Sequence, residues 1–294
     1  MITYKFFPFR ILSILALLGL LLPGAALVAQ EEEEVQTISI KSRGLQRVGN
    51  TFESVWLIDN QTVLVPLKKT FEFDISHRFG TIDDGYENLW GLYAPAANTR
   101  IGFSYTPVNN LMLGFGVSKN SRVKLLWDVN AKYALLREKA GAPLSVTYYV
   151  NMGIDSDKEE SIEGYRNSTD RFSYFHQLMV ARKLTRDFSV QASVSLSHFN
   201  NVEAYVNSAG EITKKMENDH IAVSVLGRYK VSDAFAFIAN YDQPITKHKT
   251  NNPDPNISFG IELATPLHAF QVFVGNYREL SPQYNNVFTQ NEYN

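Results

Sequence analysis

The sequence predicts an all-β chain, folded as an antiparallel up-and-down transmembrane β-barrel of about twelve strands. Three observations carry this prediction. Stretches of strand length alternate apolar and polar residues with a period of two. The connections between them alternate between short and long. The chain also opens on a secretory leader: Lys5 and Arg10, then the apolar run Ile11 to Leu22, then Pro23, Gly24 and the small residues up to Ala29. That run is too short for a membrane-crossing helix, which needs about 20 residues.

Composition narrows the class. Of 294 residues, 45% are hydrophobic and 13% aromatic, enough for one large β domain. The formal charge of −2 gives no basic footprint for nucleic acid. Cysteine is absent, which removes disulfides, thiolate metal sites and cysteine nucleophiles. A closed barrel needs no disulfide, because its hydrogen-bond ladder already ties the chain together.

Residues 1–29 are read as the leader and 30–69 as a periplasmic tail with a short hairpin. The four adjacent glutamates Glu31 to Glu34 repel one another and stay solvated. Glu53 to Leu57 and Thr62 to Leu67 flank a turn at Asp59-Asn60, and Pro66 argues against a central strand there. The hairpin is expected at the periplasmic mouth, with a place inside the lumen as the alternative.

The wall spans 70–276. It opens on Thr70 to Gly80, with Phe71, Phe73, Ile75, His77 and Phe79 on one face and Glu72, Asp74, Ser76 and Arg78 on the other. Its eleven residues match a tilted bilayer-crossing strand of about 9–11. Ten more strands are expected: Thr99 to Tyr105, Leu111 to Ser118, Val123 to Leu136, Leu144 to Ile154, Phe172 to Lys183, Phe188 to Asn200, Ile221 to Lys230, Phe235 to Asp242, Ile257 to Ala264 and Ala269 to Asn276. The faces of the sixth and the eleventh are ambiguous. Periodicity alone does not separate a membrane barrel from a soluble β-sandwich, whose apolar faces meet inside.

The connections Thr81 to Asn98, Asp155 to Arg171, Asn201 to His220 and Gln243 to Asn256 are long. Those between them on the opposite side are short, and Lys119 to Arg122 is a short exception on the long side. Two short turns repeat each other, from Lys183 to Phe188 and from Lys230 to Phe235. Eleven strands leave the last one running outward, and single-chain bacterial barrels have even strand numbers. Residues 277–294 are therefore expected to be an external loop leading to a closing strand absent from this chain.

Laid out this way, the chain resembles a Bacteroidota family of outer-membrane β-barrels, domain of unknown function 5777. The resemblance rests on Ile75-Ser76-His77-Arg78-Phe79-Gly80, on Asn88-Leu89-Trp90-Gly91-Leu92 and on Arg228-Tyr229, and spans about Thr51 to Asn276. It implies fold and location, and no catalytic residues.

The inward charges are the candidate site: Glu72, Asp74, Arg78, Arg100, Lys124, Asp128, Lys132, Arg228 and Glu262. A ring of one sign would indicate an ion-selective pore. Mixed signs point to a lumen filled by ion pairs, with Asp74, Arg78 and Arg100 expected in one network. His77 reads as an amphipathic rim side chain. His198 raises an outer-wall hydrolase, but Ser197 beside it points to the other face, and Ser195 is no better placed. Asp155, Asp157, Glu159, Glu160 and Glu163 form an acidic loop without the tight-turn glycine of a calcium-binding loop. No P-loop, dinucleotide fingerprint or HExxH appears.

The reading is a non-enzymatic barrel of the cell outer membrane, either a narrow channel or a structural and interaction barrel. The alternatives are an outer-membrane lipid-modifying hydrolase and a soluble periplasmic β-sandwich binding protein. No cofactor is expected. The expected partners are outer-membrane lipids, lipopolysaccharide and the barrel-assembly machinery, with no nucleic acid.

Overall fold

The computed structural model describes residues 50–93, 98–119, 122–123, 125–138, 142–156, 165, 167–265 and 267–290. The leader and the glutamate tail lie outside these residues.

Two short strands come first, β1 (Trp56–Leu57) and β2 (Asn60–Gln61), paired only with each other. The wall follows: β3 (Phe71–Arg78), β4 (Asn98–Val108), β5 (Leu111–Lys119), β6 (Leu126–Leu136), β7 (Ser145–Asp155), β8 (Phe172–Lys183) and β9 (Phe188–Phe199). A small hairpin, β10 (Ala204–Val206) and β11 (Ile212–Lys215), sits within the long connection after β9. The wall resumes with β12 (Asp219–Lys230), β13 (Phe235–Pro244), β14 (Asn256–Ala264) and β15 (Ala269–Gly275), and helix α1 (Pro282–Phe288) ends the described chain.

β3 to β9 and β12 to β15 form one antiparallel sheet of eleven strands, each paired with its neighbour in sequence order except that β9 pairs with β12 across the small hairpin. These are the eleven strands the alternation predicts. The sheet edges are β3 and β15. The sheet curls until the Arg78 guanidinium of β3 lies 4.6 Å from the Phe273 ring centre of β15. No ladder bonds join the two edges among the described residues. The hairpin of β1 and β2 does not close that seam, because among the described residues its strands pair only with each other.

The faces are inverted relative to a soluble protein. Phe71, Phe73, Ile75, Ile101, Phe103, Tyr105, Leu113, Phe115, Trp127, Val129, Val194, Val223 and Phe259 are exposed, and the alternate residues Arg100, Asp128, Lys132, Gln191, Ser193, Arg228 and Glu262 are buried. This removes the soluble β-sandwich, which needs the apolar faces to meet. On β8 the buried row is Ser173, Phe175, Gln177, Met179 and Ala181. Both faces of that strand are partly apolar, which is why its alternation was ambiguous.

The ends of the sheet differ as the connection lengths predict. At the turn end, Leu184, Val231 and Thr265 each donate their N–H to the carbonyl of the residue three or four positions on, so three turns share one construction. At the loop end, the motif residues Gly80 and Gly91 meet. Gly80 donates its N–H to the Gly91 carbonyl at 2.9 Å, and Asn88 Oδ1 accepts the Gly91 N–H at 2.7 Å. Gly91 has φ +88, and a Cβ there would lie 2.5 Å from the Gly80 oxygen, so only glycine serves.

Two segments occupy the interior. Residues 51–65 run through the lumen rather than at its mouth, and Phe52, Val55, Leu57, Ile58, Asn60, Gln61, Thr62, Val63 and Val65 are all buried. The turn of this hairpin is Ile58-Asp59, one residue earlier than expected, and Ile58 takes the left-handed φ of 58. A β-branched residue is strained there. Phe52, Leu57, Ile58 and Val63 pack against Tyr149, Phe175, Met179, Leu226 and Ile238 of the wall. This apolar patch accounts for the large inward side chains of β8.

At the loop end, residues 277–289 fold inward instead of forming an external loop. Tyr284, Val287 and Phe288 of α1 fit a pocket of Val123, Leu126, Phe199, Val202 and Met216. Their spacing of three and one puts them on one helix face. Pro282 starts the helix at a position where its missing N–H costs nothing.

Candidate functional site

The candidate site is the occupied lumen, where the wall's inward polar groups meet the hairpin and the cap helix. Several polar clusters hold it.

The first surrounds Arg100 on β4. Its Nε and Nη2 donate to Asp128 Oδ2 and Oδ1 of β6 at 3.1 and 3.0 Å, and its Nη1 donates to Asp74 Oδ2 of β3 at 2.5 Å. Asn130 and Asn151 also donate to Asp128 Oδ1, at 3.0 and 3.1 Å. The register explains how one guanidinium spans two carboxylates. Asp74, Gly102, Gly116 and Asp128 form one cross-strand row on β3, β4, β5 and β6. The two glycines leave the wall bare between the two aspartates, and Arg100 lies across the gap. A Cβ on Gly102 would strike Arg100 and Asp74, and one on Gly116 would strike Arg100 and Asp128. On the sequence alone, Gly116 reads as a bend or packing glycine. Here it makes room for an ion cluster.

The second cluster surrounds Lys132 on β6, which is 1% exposed. Its ammonium donates to three main-chain carbonyls of the hairpin segment: Val55 and Thr62 at 3.2 Å and Leu64 at 3.0 Å. Glu72 on β3 supplies counter-charge to it without a direct ion pair among the described contacts.

The third joins Arg228 to Glu262 at 2.6 Å. Gln271 of β15 donates to the other oxygen of Glu262 at 3.0 Å. Arg78 does not join Asp74 and Arg100. It pairs instead with Asp59 of the hairpin turn at 3.3 Å, and Asn285 of α1 donates to the second Asp59 oxygen at 2.5 Å. Of the nine charges singled out from the sequence, Lys124 lies outside the described residues.

The sequence reading missed the amide side chains. Gln177 of β8 donates to Asn60 Oδ1 at 2.9 Å, and Asn60 donates to Asn240 and Asp242 of β13 at 3.1 and 2.8 Å. Gln191 and Gln271 bond the hairpin main chain. Inward glutamines at mid-strand were the available signal. Between hairpin and cap, a small cavity bounded by Trp56, Arg100, Asp128, Tyr149, Asn151 and Gln283 has room for about one water.

Outside the lumen, His77 is exposed at the rim and its ring lies edge-on to Phe79 at 4.3 Å. His198 Nδ1 meets Asp219 at 2.7 Å and Nε2 meets Asn200 at 3.0 Å. Ser197 points into the lumen and is buried, while Ser195 donates to the Ala222 carbonyl, so neither hydroxyl reaches His198. Of the acidic loop, only Asp155 is described. It is buried and accepts from Tyr165, and no group of metal-ligating side chains occurs among the described residues.

At the loop end His220 and His248 stack, with planes 17° apart and His220 Nδ1 2.9 Å from His248 Nε2. The Glu217 N–H donates to His248 Nδ1, so His248 carries its proton on Nε2 and donates it to His220. Burial holds His248 below the usual imidazole range, against the pull of the Glu217 carboxylate. The unfolded chain therefore takes up this proton first. The contribution of this group is full above about pH 6.5 and falls as pH drops below it, by at most about 1.4 kcal/mol per unit. Urea unfolding in detergent micelles across pH 5 to 8 checks this, and His248→Gln should make the profile shallower.

The family model described as a membrane bound beta barrel domain, domain of unknown function 5777, matches residues 52–294. The chain belongs to this family. The match includes the hairpin and the cap as well as the wall. Among solved structures, the chain is similar to a NanC porin at 11% identity and a TM-score of 0.45, covering 65% of this chain and 87% of the porin. It is also similar to the Pseudomonas putida toluene transporter TodX at 13% identity and a TM-score of 0.27, covering 61% of this chain and 43% of the transporter. No curated protein matches the chain.

In a membrane-bound barrel domain the exposed apolar belt faces lipid. Val194, near the middle of β9, is 45% exposed on that face. Val194→Arg should destabilise the barrel by about 2–4 kcal/mol, as a charge at the bilayer midplane does. Urea titration in lipid vesicles measures it.

Proposed function

We propose that this barrel domain is a non-enzymatic outer-membrane protein whose lumen is closed at rest by its own hairpin and cap. The observation that carries the reading is the burial of Phe52, Val55 and residues 57–63 inside the wall, with the hairpin main chain held by wall side chains. A water-filled pore would leave the inward charges hydrated. Here Arg100, Asp128, Lys132, Arg228 and Glu262 are each at most 5% exposed and bonded to protein groups.

The outer membrane is favoured by the leader, by strands as the crossing elements and by short turns facing long loops. The partners on this reading are outer-membrane lipids around the belt, lipopolysaccharide at the loop end and the barrel-assembly machinery during insertion. Against the hydrolase alternative, both His198 nitrogens are engaged and Ser197 lies on the other face of β9.

Planar-bilayer recording tests the reading. The unaltered protein should show no steady conductance, with rare openings at most. Large, steady conductance would overturn it.

A further inference from the structure

The wall holds the hairpin through two kinds of contact. The turn is held by its side chains: Asp59 meets Arg78 and Asn285, and Asn60 meets Gln177, Asn240 and Asp242. The arms are held by their main chain. Gln191 accepts the Val63 N–H at 2.9 Å and donates to the Gln61 carbonyl at 2.8 Å. Gln271 accepts the Ile58 N–H at 2.7 Å and donates to the Trp56 carbonyl at 2.9 Å. Each amide thus binds the N–H of one residue and the C=O of the residue two before it. A neighbouring strand offers a chain the same paired donor and acceptor. Lys132 takes three further carbonyls, Thr147 donates to the Val63 carbonyl at 2.9 Å and Arg137 to the Val65 carbonyl at 3.0 Å. None of these bonds depends on which side chain the arms carry. Beside them the wall presents Tyr149, Phe175, Met179, Leu226 and Ile238, an apolar patch that receives aliphatic and aromatic side chains.

We propose that the lumen is a binding site for an extended peptide, and that residues 51–65 are its resident occupant. When the hairpin leaves, the site takes a peptide segment in trans, with main chain on the two glutamine amides and Lys132 and apolar side chains on the patch. This rests on the closed-lumen reading above.

The chain has no cysteine, so one introduced thiol reports on one place. Gln61 is 1% exposed, and Gln191 bonds its main-chain carbonyl rather than its side chain. Gln61→Cys therefore reports departure of the hairpin. In the full chain carrying Gln61→Cys and Asn60→Ala, the turn contacts are weakened and the wall is untouched. A synthetic peptide of residues 51–65, added in excess, should raise the thiol-labelling rate at least tenfold. It should also bind saturably when fluorescein-labelled. A peptide with Asp59, Asn60 and its apolar positions kept and its other polar residues exchanged should bind within about tenfold, because the clamps on the arms read main chain. Gln191→Ala with Gln271→Ala should weaken both peptides at least tenfold. The same titration on Gln61→Cys alone serves if the double variant does not fold, judged by heat-modifiable gel mobility, and should show the same rise at higher peptide concentration. Labelling that does not respond to peptide, or responds equally to a dextrin of similar length, would overturn the proposal. Steady conductance of the unaltered chain would instead overturn the closed lumen, so the two failures are distinct.

Discussion

Lys132→Ala should release the hairpin. Among the described residues the ammonium alone bonds all three carbonyls of Val55, Thr62 and Leu64, and it ties the two arms to each other as well as to the wall. A hydrogen bond from a charged donor contributes about 1.5–3 kcal/mol, and a buried acceptor left unpaired costs about 1–3 kcal/mol. Alanine also leaves Glu72 facing the lumen without its counter-charge. The ammonium's hydrogen bonds set the scale, so the expected loss is at least about 1.5–3 kcal/mol in urea unfolding. The local effect should exceed the global one. The thiol of Gln61→Cys should label at least tenfold faster in the Lys132→Ala background, and brief openings should appear in planar bilayers. Lys132→Met separates charge from bulk: it fills the same space and should release the hairpin nearly as far. Unchanged labelling in both variants would show that the hairpin is held by Gln191, Gln271 and the turn alone.

The wall was legible in the sequence because its signal is local. Each strand declares itself over about ten residues, and the order of pairing follows from the connections. The site was only partly legible because its partners are far apart in the chain. Asp59-Asn60 reads as a turn, yet nothing near it says that Asn60 meets Gln177, 117 positions away, or that Asp59 meets Asn285, 226 positions away. Arg78 lies four residues from Asp74 on one strand face, which favoured one network. The hairpin turn offered Asp59 instead, and a carboxylate entering the lumen outcompeted one already taken by Arg100. Helix α1 stayed hidden because its apolar residues Tyr284, Val287 and Phe288 sit in an Asn- and Gln-rich stretch of seven residues, too short for periodicity to register. The mixed-sign inward charges were the informative clue: opposite signs on neighbouring strands can neutralise one another across the wall.

Arg100→Ala should be at least as damaging, and its mechanism can be isolated. The change leaves Asp74 and Asp128 without their shared cation in a largely buried cluster, at an expected cost of about 3–5 kcal/mol. Arg100→Lys should recover little, because a single ammonium cannot bond Asp128 through two nitrogens and still reach Asp74. The flanking glycines give the sharper test. A glycine inside a strand ordinarily gains about 0.5–1 kcal/mol when replaced by alanine, because glycine loses more freedom on folding. At Gly102 and Gly116 the sign should reverse. Each added methyl would meet the guanidinium and one carboxylate, and the paired geometry cannot yield without losing a bond. Gly116→Ala should therefore destabilise by about 1–3 kcal/mol, the usual cost of overpacking. In the Arg100→Ala background the guanidinium is gone and only the Asp128 carboxylate, no longer held by it, meets the same methyl, so the cost should shrink. A coupling energy of about 1 kcal/mol or more between positions 100 and 116 is the expected signature. Additive effects would mean that the glycines serve the backbone and that the guanidinium lies elsewhere. The Asp74-Gly-Gly-Asp128 row is thus one device spread over four strands, in which two residues act through the side chains they lack.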